Sequence, residues 1–108
     1  MRKFKVLIDP HAKIDLREIF FYVASNDSYS DAEKLLSNLE KTCYKLEEFP
    51  ERGHIPQELR QTGIKRYLEI HYKPYRIIYE VEKNLVYIHC ILDGRRNIQE
   101  ILSDRLLR

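Results

Sequence analysis

The sequence predicts an α+β domain in which a helical hairpin and a short C-terminal helix pack on a small, mainly antiparallel β-sheet. Three observations carry this expectation. Two apolar stripes with helical spacing follow one another between Pro10 and Leu46, with only a few polar residues between them. Three runs rich in β-branched and aromatic residues then occupy Ile64 to Leu92, joined by short turns. A last apolar stripe begins at Ile98. Helices gathered on one face of such a sheet make a compact α+β unit, leaving the other face for a ligand or partner. The 108 residues suit one domain, 1–108, with no repeat, low-complexity stretch or internal boundary.

Taken in order, Phe4 to Ile8 is a short apolar strand. Asp9 can cap the following helix, whose first turn accepts Pro10. Ala12, Leu16, Ile19, Phe20 and Val23 then form one stripe, with Asp15, Arg17 and Glu18 off it; Asn26-Asp27-Ser28 ends the helix. Ser30-Asp31-Ala32-Glu33 has the spacing of a capping box. Ala32, Leu35, Leu36, Leu39, Cys43 and Leu46 give a second stripe, stopped at Phe49-Pro50 because the residue before proline leaves the helical region. Gly53, Pro56 and Gly63 mark Glu51 to Gly63 as a loop. Ile64 to Tyr72, Pro74 to Glu82 and Leu85 to Leu92 read as a three-stranded meander, with Lys83-Asn84 as a two-residue turn in which Asn tolerates positive φ. Alternation puts Tyr75, Ile77, Tyr79 and Val81 on the helix side of the middle strand, and Arg76, Ile78, Glu80 and Glu82 on the other. Asn97 can cap a closing helix with Ile98, Ile101, Leu102 and Leu106 as its apolar face.

Composition narrows the function classes. The chain is 44 % hydrophobic and 33 % charged, with a formal net charge of +2. Acids gather between Asp27 and Glu58, whereas Arg60, Lys65, Arg66, Lys73 and Arg76 cluster with Glu69 and His71, so a basic region over the sheet is expected. No stretch approaches a membrane span, and the N-terminus lacks the pattern of a signal peptide. Cys43 and Cys90 lack CxxC spacing and read as reduced, packed thiols; the expected compartment is the cytoplasm.

Most enzyme signatures are missing. With three glycines there is no phosphate-binding loop, and His11, His54, His71 and His89 are far apart, so no metal or other cofactor is expected. The candidates are cationic. Arg76 sits mid-strand, where a rigid guanidinium can bind phosphate, or can pair with Glu69 or Glu80. Arg95 and Arg96 leave the sheet together, with Asp93 a possible partner; Lys65, Arg66 and Lys73 complete the basic set. His71 and His89 flank Arg76 on the neighbouring strands, where proton transfer during RNA cleavage is conceivable, as is a structural role. Tyr67, Tyr72, Tyr75, Tyr79 and Tyr87 decorate the sheet; packing explains them better than base stacking.

Several stretches together resemble the RelE/ParE superfamily of toxins from bacterial type II toxin–antitoxin modules. These are DLREIFFYVA, LEEFPERGH, KPYRIIYEVEKNLVYIHCIL and DGRRNIQEIL, covering about Phe4 to Leu102. The resemblance implies that fold and a cytoplasmic growth inhibitor, linked to plasmid stabilization and neutralised by a cognate antitoxin. A 2:2 complex is consistent with it. In RelE-like ribonucleases the YR motif and a later arginine match Arg76 and Arg96. Tyr67 and Glu69, however, fall where RelE carries lysines, and Leu102 replaces a late tyrosine. Some relatives use histidine and acid residues instead, an option that His71, Glu69 and His89 keep open. The hairpin, the FPERG stretch and GRR followed by Asn97-Ile98 resemble ParE-like members more closely, which implies a DNA gyrase poison without chemistry of its own. The alternative is a ribosome-dependent mRNA endoribonuclease. The expected binding surface is Lys65, Arg66, Lys73, Arg76, Arg95 and Arg96, held positive over one exposed β-surface.

Overall fold

The computed structural model describes residues 3–96 and 98–106. Strand β1 (Lys5–Ile8) leads into helices α1 (Pro10–Asn26) and α2 (Tyr29–Tyr44). Three single-turn 3-10 segments, Lys45–Glu47, Pro50–Arg52 and Gln57–Leu59, cross to strands β2 (Tyr67–Tyr72), β3 (Tyr75–Glu82) and β4 (Leu85–Asp93), and helix α3 (Ile98–Leu106) closes the chain. The sheet order is β1-β4-β3-β2, with β1 parallel to β4 and the other pairs antiparallel. The mixed sheet with three helices meets the α+β expectation.

Local chemistry explains the helix ends. Asp9 accepts a hydrogen bond from the His11 amide and Pro10 occupies the first turn, as expected. The cap of α2 is Ser28, whose hydroxyl accepts from the Asp31 amide at 3.0 Å, rather than Ser30. Ser28 and Asp31 share the spacing that suggested Ser30 and Glu33, so the helix starts two residues earlier. Its α-helical part ends at Tyr44, and the approach to Pro50 tightens into 3-10 turns. The hairpin turn Lys83-Asn84 forms, but the positive φ (57°) belongs to Lys83, not Asn84. Strand β2 begins at Tyr67, three residues after the expected Ile64.

Two apolar clusters sandwich the sheet. On one face Leu16, Leu39, Cys43 and Leu46 from the hairpin pack on Tyr75, Ile77, Tyr79, Val86, Ile88 and Ile91. On the other, Leu59, Tyr67, Ile78, Cys90, Leu92 and Leu102 form a second cluster, joined by Ile55, Ile64 and Ile101. The expectation of helices on one face and an open second face is therefore corrected: α3 and the 55–64 loop cover the second. A bulge explains why this is possible. Ile78 pairs with Cys90 but Tyr79 pairs with Ile88, so His89 is an extra residue. Side-chain parity shifts there, sending Ile88 and Ile91 toward the hairpin but Cys90 and Leu92 toward α3. Asn97, the expected cap of α3, and the side chains of Ile98 and Leu106 lie outside the described residues.

Asp15 joins the layers. Beyond Ile88 strand β4 has no β1 partner, and the Ile91 amide instead donates to the Asp15 carboxylate at 3.0 Å. Arg105 of α3 grips the same carboxylate with two contacts, 2.7 and 2.6 Å. The two carboxylate contacts raise the Arg105 pKa further above its ordinary value. No helix among the described residues is long and apolar enough to cross a membrane.

Candidate functional site

The site is built where β2, β3 and the loop before them meet. Tyr79 organises that loop: its hydroxyl donates to the Pro50 carbonyl at 2.7 Å and accepts from the Gly53 amide at 3.0 Å. A Cβ on Gly53 would lie 2.5 Å from the Tyr79 hydroxyl and 2.7 Å from the Glu69 carbonyl, so only glycine lets the loop come this close. His54 then pairs with Glu69 as a one-residue bridge, through reciprocal backbone hydrogen bonds of 3.1 and 2.7 Å. Glu69 and His71 point to the same face of β2, and His71 lies opposite Arg76 on β3.

Three groups converge on the Glu69 carboxylate or its partner. Glu69 is 1 % exposed, and a carboxylate that deep requires partners. Arg76 Nε donates to Glu69 Oε2 and Arg76 Nη2 to Oε1, the latter at 2.8 Å. The remaining side of the guanidinium forms a two-point contact with Glu58, at 2.8 and 2.7 Å. His71 Nε2 lies 2.6 Å from Glu69 Oε2. Burial alone would raise the Glu69 pKa, but the hydrogen bonds from Arg76 and His71 outweigh it and hold the carboxyl below the usual range. Hydrogen bonds from Arg76 likewise lower Glu58, and both carboxylates raise Arg76.

This geometry corrects the expected electrostatics. Two carboxylates surround one guanidinium, so the Arg76, Glu58 and Glu69 groups together carry one net negative charge. Arg76 uses Glu69, one of its two expected partners, plus Glu58, 18 residues distant in sequence; Glu80 instead contacts His89 at 2.9 Å. Arg95 is taken by Asp93, with side-chain contacts of 2.9 and 2.6 Å. Arg96 lines a separate cleft of about 340 Å³ between α1 and β4, with Asp15, Glu18, Tyr22, Tyr75 and Asp93. Among the described residues, the clefts between elements bring in Arg96 but neither Arg76 nor Arg95. Arg66 stacks over the Tyr67 ring at 4.9 Å, while Lys65 and Lys73 are exposed. His89 is half-buried, edge-on to Tyr67 and stacked with Tyr87.

His54 and His71, separated by 17 positions in sequence, come together, with ring centroids 5.4 Å apart. One ligand atom from each of His54, Glu69 and His71 lies within 4.8 Å of the other two. The expectation that the histidines are too far apart is therefore corrected for this pair. Spacing in the chain could not reveal His54 or Glu58, because loop closure delivers both. The one hint was that His54 ends the LEEFPERGH stretch. Both cysteines are free and buried, and burial pushes the Cys43 thiol up to about 12 and that of Cys90 up to about 11, which leaves neither activated.

A second concavity lies on the outer side of the hairpin. Lys13, Arg17, Phe20, Phe21, Tyr29, Leu36 and Tyr44 are among the residues lining this groove of about 530 Å³ between α1 and α2. Phe21, Tyr22 and Tyr29 are 59 %, 68 % and 63 % exposed.

Comparison with known proteins matches this architecture. A family model described as the ParE toxin of the type II toxin-antitoxin system, parDE, matches residues 6–98. Toxin ParE3 of Caulobacter vibrioides is 31 % identical over 91 residues, covering 84 % of this chain and 87 % of that protein. Among solved structures, one of the chromosomal ParDE system from P. aeruginosa superposes with a TM-score of 0.69 at 14 % identity, over 84 % of this chain and 96 % of that one. An E. coli RelE toxin variant in the free state gives 0.66 at 17 % identity, over 98 % and 97 %. The RelBE2 toxin-antitoxin complex from Mycobacterium tuberculosis gives 0.62 at 16 %, over 86 % and 93 %. At these identities the structural likenesses speak for the fold.

Proposed function

Because the chain belongs to the ParE toxin family of type II toxin–antitoxin systems, we propose that it arrests growth by binding DNA gyrase, without chemistry of its own, and that a cognate antitoxin neutralises it. The observation that carries the choice of binding over catalysis is the state of Arg76. Cleavage of RNA through the 2′-hydroxyl needs a cation free to meet the developing phosphorane charge. A guanidinium has five N–H donors, and here four contacts to Glu58 and Glu69 occupy it. A phosphate arriving at Arg76 meets a guanidinium flanked by two carboxylates instead.

The surfaces left for partners are elsewhere. The exposed aromatic groove of the α1–α2 hairpin suits an apolar segment of the antitoxin. Lys13 and Arg17, together with Glu33 and Glu40, line it and offer both signs of charge to that segment. Arg95 and Arg96, exposed after β4, together with Lys65, Arg66 and Lys73, are the proposed contacts to gyrase or to the antitoxin. Arg76, the remaining residue of the expected set, is held by Glu58 and Glu69. A 2:2 toxin–antitoxin assembly in the cytoplasm is the proposed resting state.

One observation favours a second reading, a RelE-type ribonuclease: Glu69, His71 and Arg76 are in contact and could act as base, acid and charge once substrate displaced Glu58. Purified protein separates the two. Inhibition of gyrase supercoiling, with ribosome-bound mRNA left intact, is the expected result. Intact supercoiling together with mRNA cut in the ribosomal A site would overturn the gyrase proposal. An adjacent short open reading frame, with a DNA-binding start and an acidic tail, is also expected.

A further inference from the structure

We propose that His54, Glu69 and His71 form a binding site for a divalent transition metal of the zinc type. The inference stands on this cluster's geometry and is independent of the toxin's target. Two imidazoles and a carboxylate are ligands that zinc favours, and three protein ligands plus water complete a tetrahedral shell. One ligand atom from each residue already lies within 4.8 Å of the others. Both imidazoles are exposed and can rotate to close on a metal, whereas Glu69 is buried and fixed.

The surroundings hold these ligands in place. His54 and Glu69 are locked opposite each other by the reciprocal backbone bonds of their bridge. His54 Nδ1 lies 3.1 Å from the Ile55 carbonyl. A carbonyl only accepts, so Nδ1 carries the proton and Nε2 keeps its lone pair for a metal. Glu69 is oriented by Arg76, which Glu58 holds in turn. Such outer partners orient metal ligands and keep them ionised. Two carboxylates against one guanidinium also leave one net negative charge to receive a cation.

In the metal-free protein, His71 Nε2 donates its hydrogen to Glu69 Oε2. A metal takes that hydrogen's place between the two atoms. A neutral ring moves that proton to Nδ1, whereas an imidazolium already carries one there and releases the other to solvent. Arg76 Nη2 stays on Oε1, and Arg76 Nε shares Oε2 with the metal. Bound metal would tie the Gly53–His54 loop to β2.

Calorimetric titration of tag-free, metal-free full chain with Zn2+, and visible absorption with Co2+, test this. One metal per chain is expected, with a tetrahedral cobalt spectrum. His54→Gln and His71→Gln should each weaken Zn2+ binding by more than the ~10–100-fold that loss of a supporting partner costs. His11→Gln and His89→Gln, outside the cluster, should leave it unchanged. Far-ultraviolet dichroism confirms that the variants are folded, which their exposed positions favour. Absence of saturable one-to-one binding by the parent chain would overturn the site, as would folded His54→Gln and His71→Gln proteins that bind Zn2+ as the parent does.

Discussion

At the scale of single residues, Arg76 does the opposite of what a cation on a strand suggests. It offsets a carboxylate that could not otherwise be buried. Arg76→Ala should therefore destabilise the fold by about 3 kcal/mol, the cost of stranding a buried charge, read as a lower urea midpoint. Any loss of toxicity should then track the loss of folded protein. Glu58 and Glu69 both titrate below their ordinary value of 4.5. A lowered carboxyl pKa stabilises the fold above the unfolded value, and that stability disappears as pH falls through the folded one. The melting temperature should accordingly fall as pH drops below 4.5, and less steeply in Arg76→Met. Gly53 is the second critical position. Gly53→Ala forces its new methyl against Tyr79 and the Glu69 backbone. A cost of about 1–3 kcal/mol is expected from overpacking, again by urea denaturation, with a larger penalty for any bulkier residue.

Among elements, α3 shows how far a local reading reaches. The periodicities of α1, α2 and the meander lie within short windows, and they were legible from Ala12 to Val23, Ala32 to Leu46 and Tyr75 to Val81. Which face α3 covers was not. That depends on the bulge at His89, where one extra residue reverses the parity of β4, and on a loop that brings Leu59 under the sheet. Leu102, 1 % exposed at the centre of the second cluster, matched the periodicity but was assigned to the wrong face. Leu102→Ala should cost about 3 kcal/mol through the cavity it leaves. Asp15 was set aside because it lies off the apolar stripe, yet it is buried between α1, β4 and α3. A double-mutant cycle on Asp15→Ala and Arg105→Ala should give a coupling above about 1 kcal/mol, since the pair is shared by two layers. Removing residues from 97 onward should cost solubility, visible as aggregation on size exclusion.

For the molecule as a whole, charge is what separates the readings. A net charge of +2 and clustered Lys and Arg in the 60–76 region suggested a positive surface. Glu69 and Asp93 were nameable from the sequence as partners of Arg76 and Arg95, but nothing in it showed that Glu58 also folds back on Arg76. The chain should therefore retard a short single-stranded RNA only weakly at physiological salt, near the ~10⁻⁴ M end of non-specific binding. Glu58→Gln, which releases part of Arg76, should tighten that binding in a gel-shift assay. The family resemblance held because it rested on whole stretches spread over the chain, including hairpin, YR and GRR, and not on the charge of one surface.

The treatment of the sheet's borders has a consequence for handling the free protein. On the β2 side, His54 takes up the mid-strand backbone groups of Glu69; past the end of β1, the Asp15 carboxylate occupies the amide of Ile91. A foreign strand adding to either border would find those docking positions filled, which is how natural sheets avoid templating fibrils. Asp15→Ala would release the Ile91 amide and open one border, so fibrillation of the isolated variant should begin there, as amyloid-dye fluorescence would reveal.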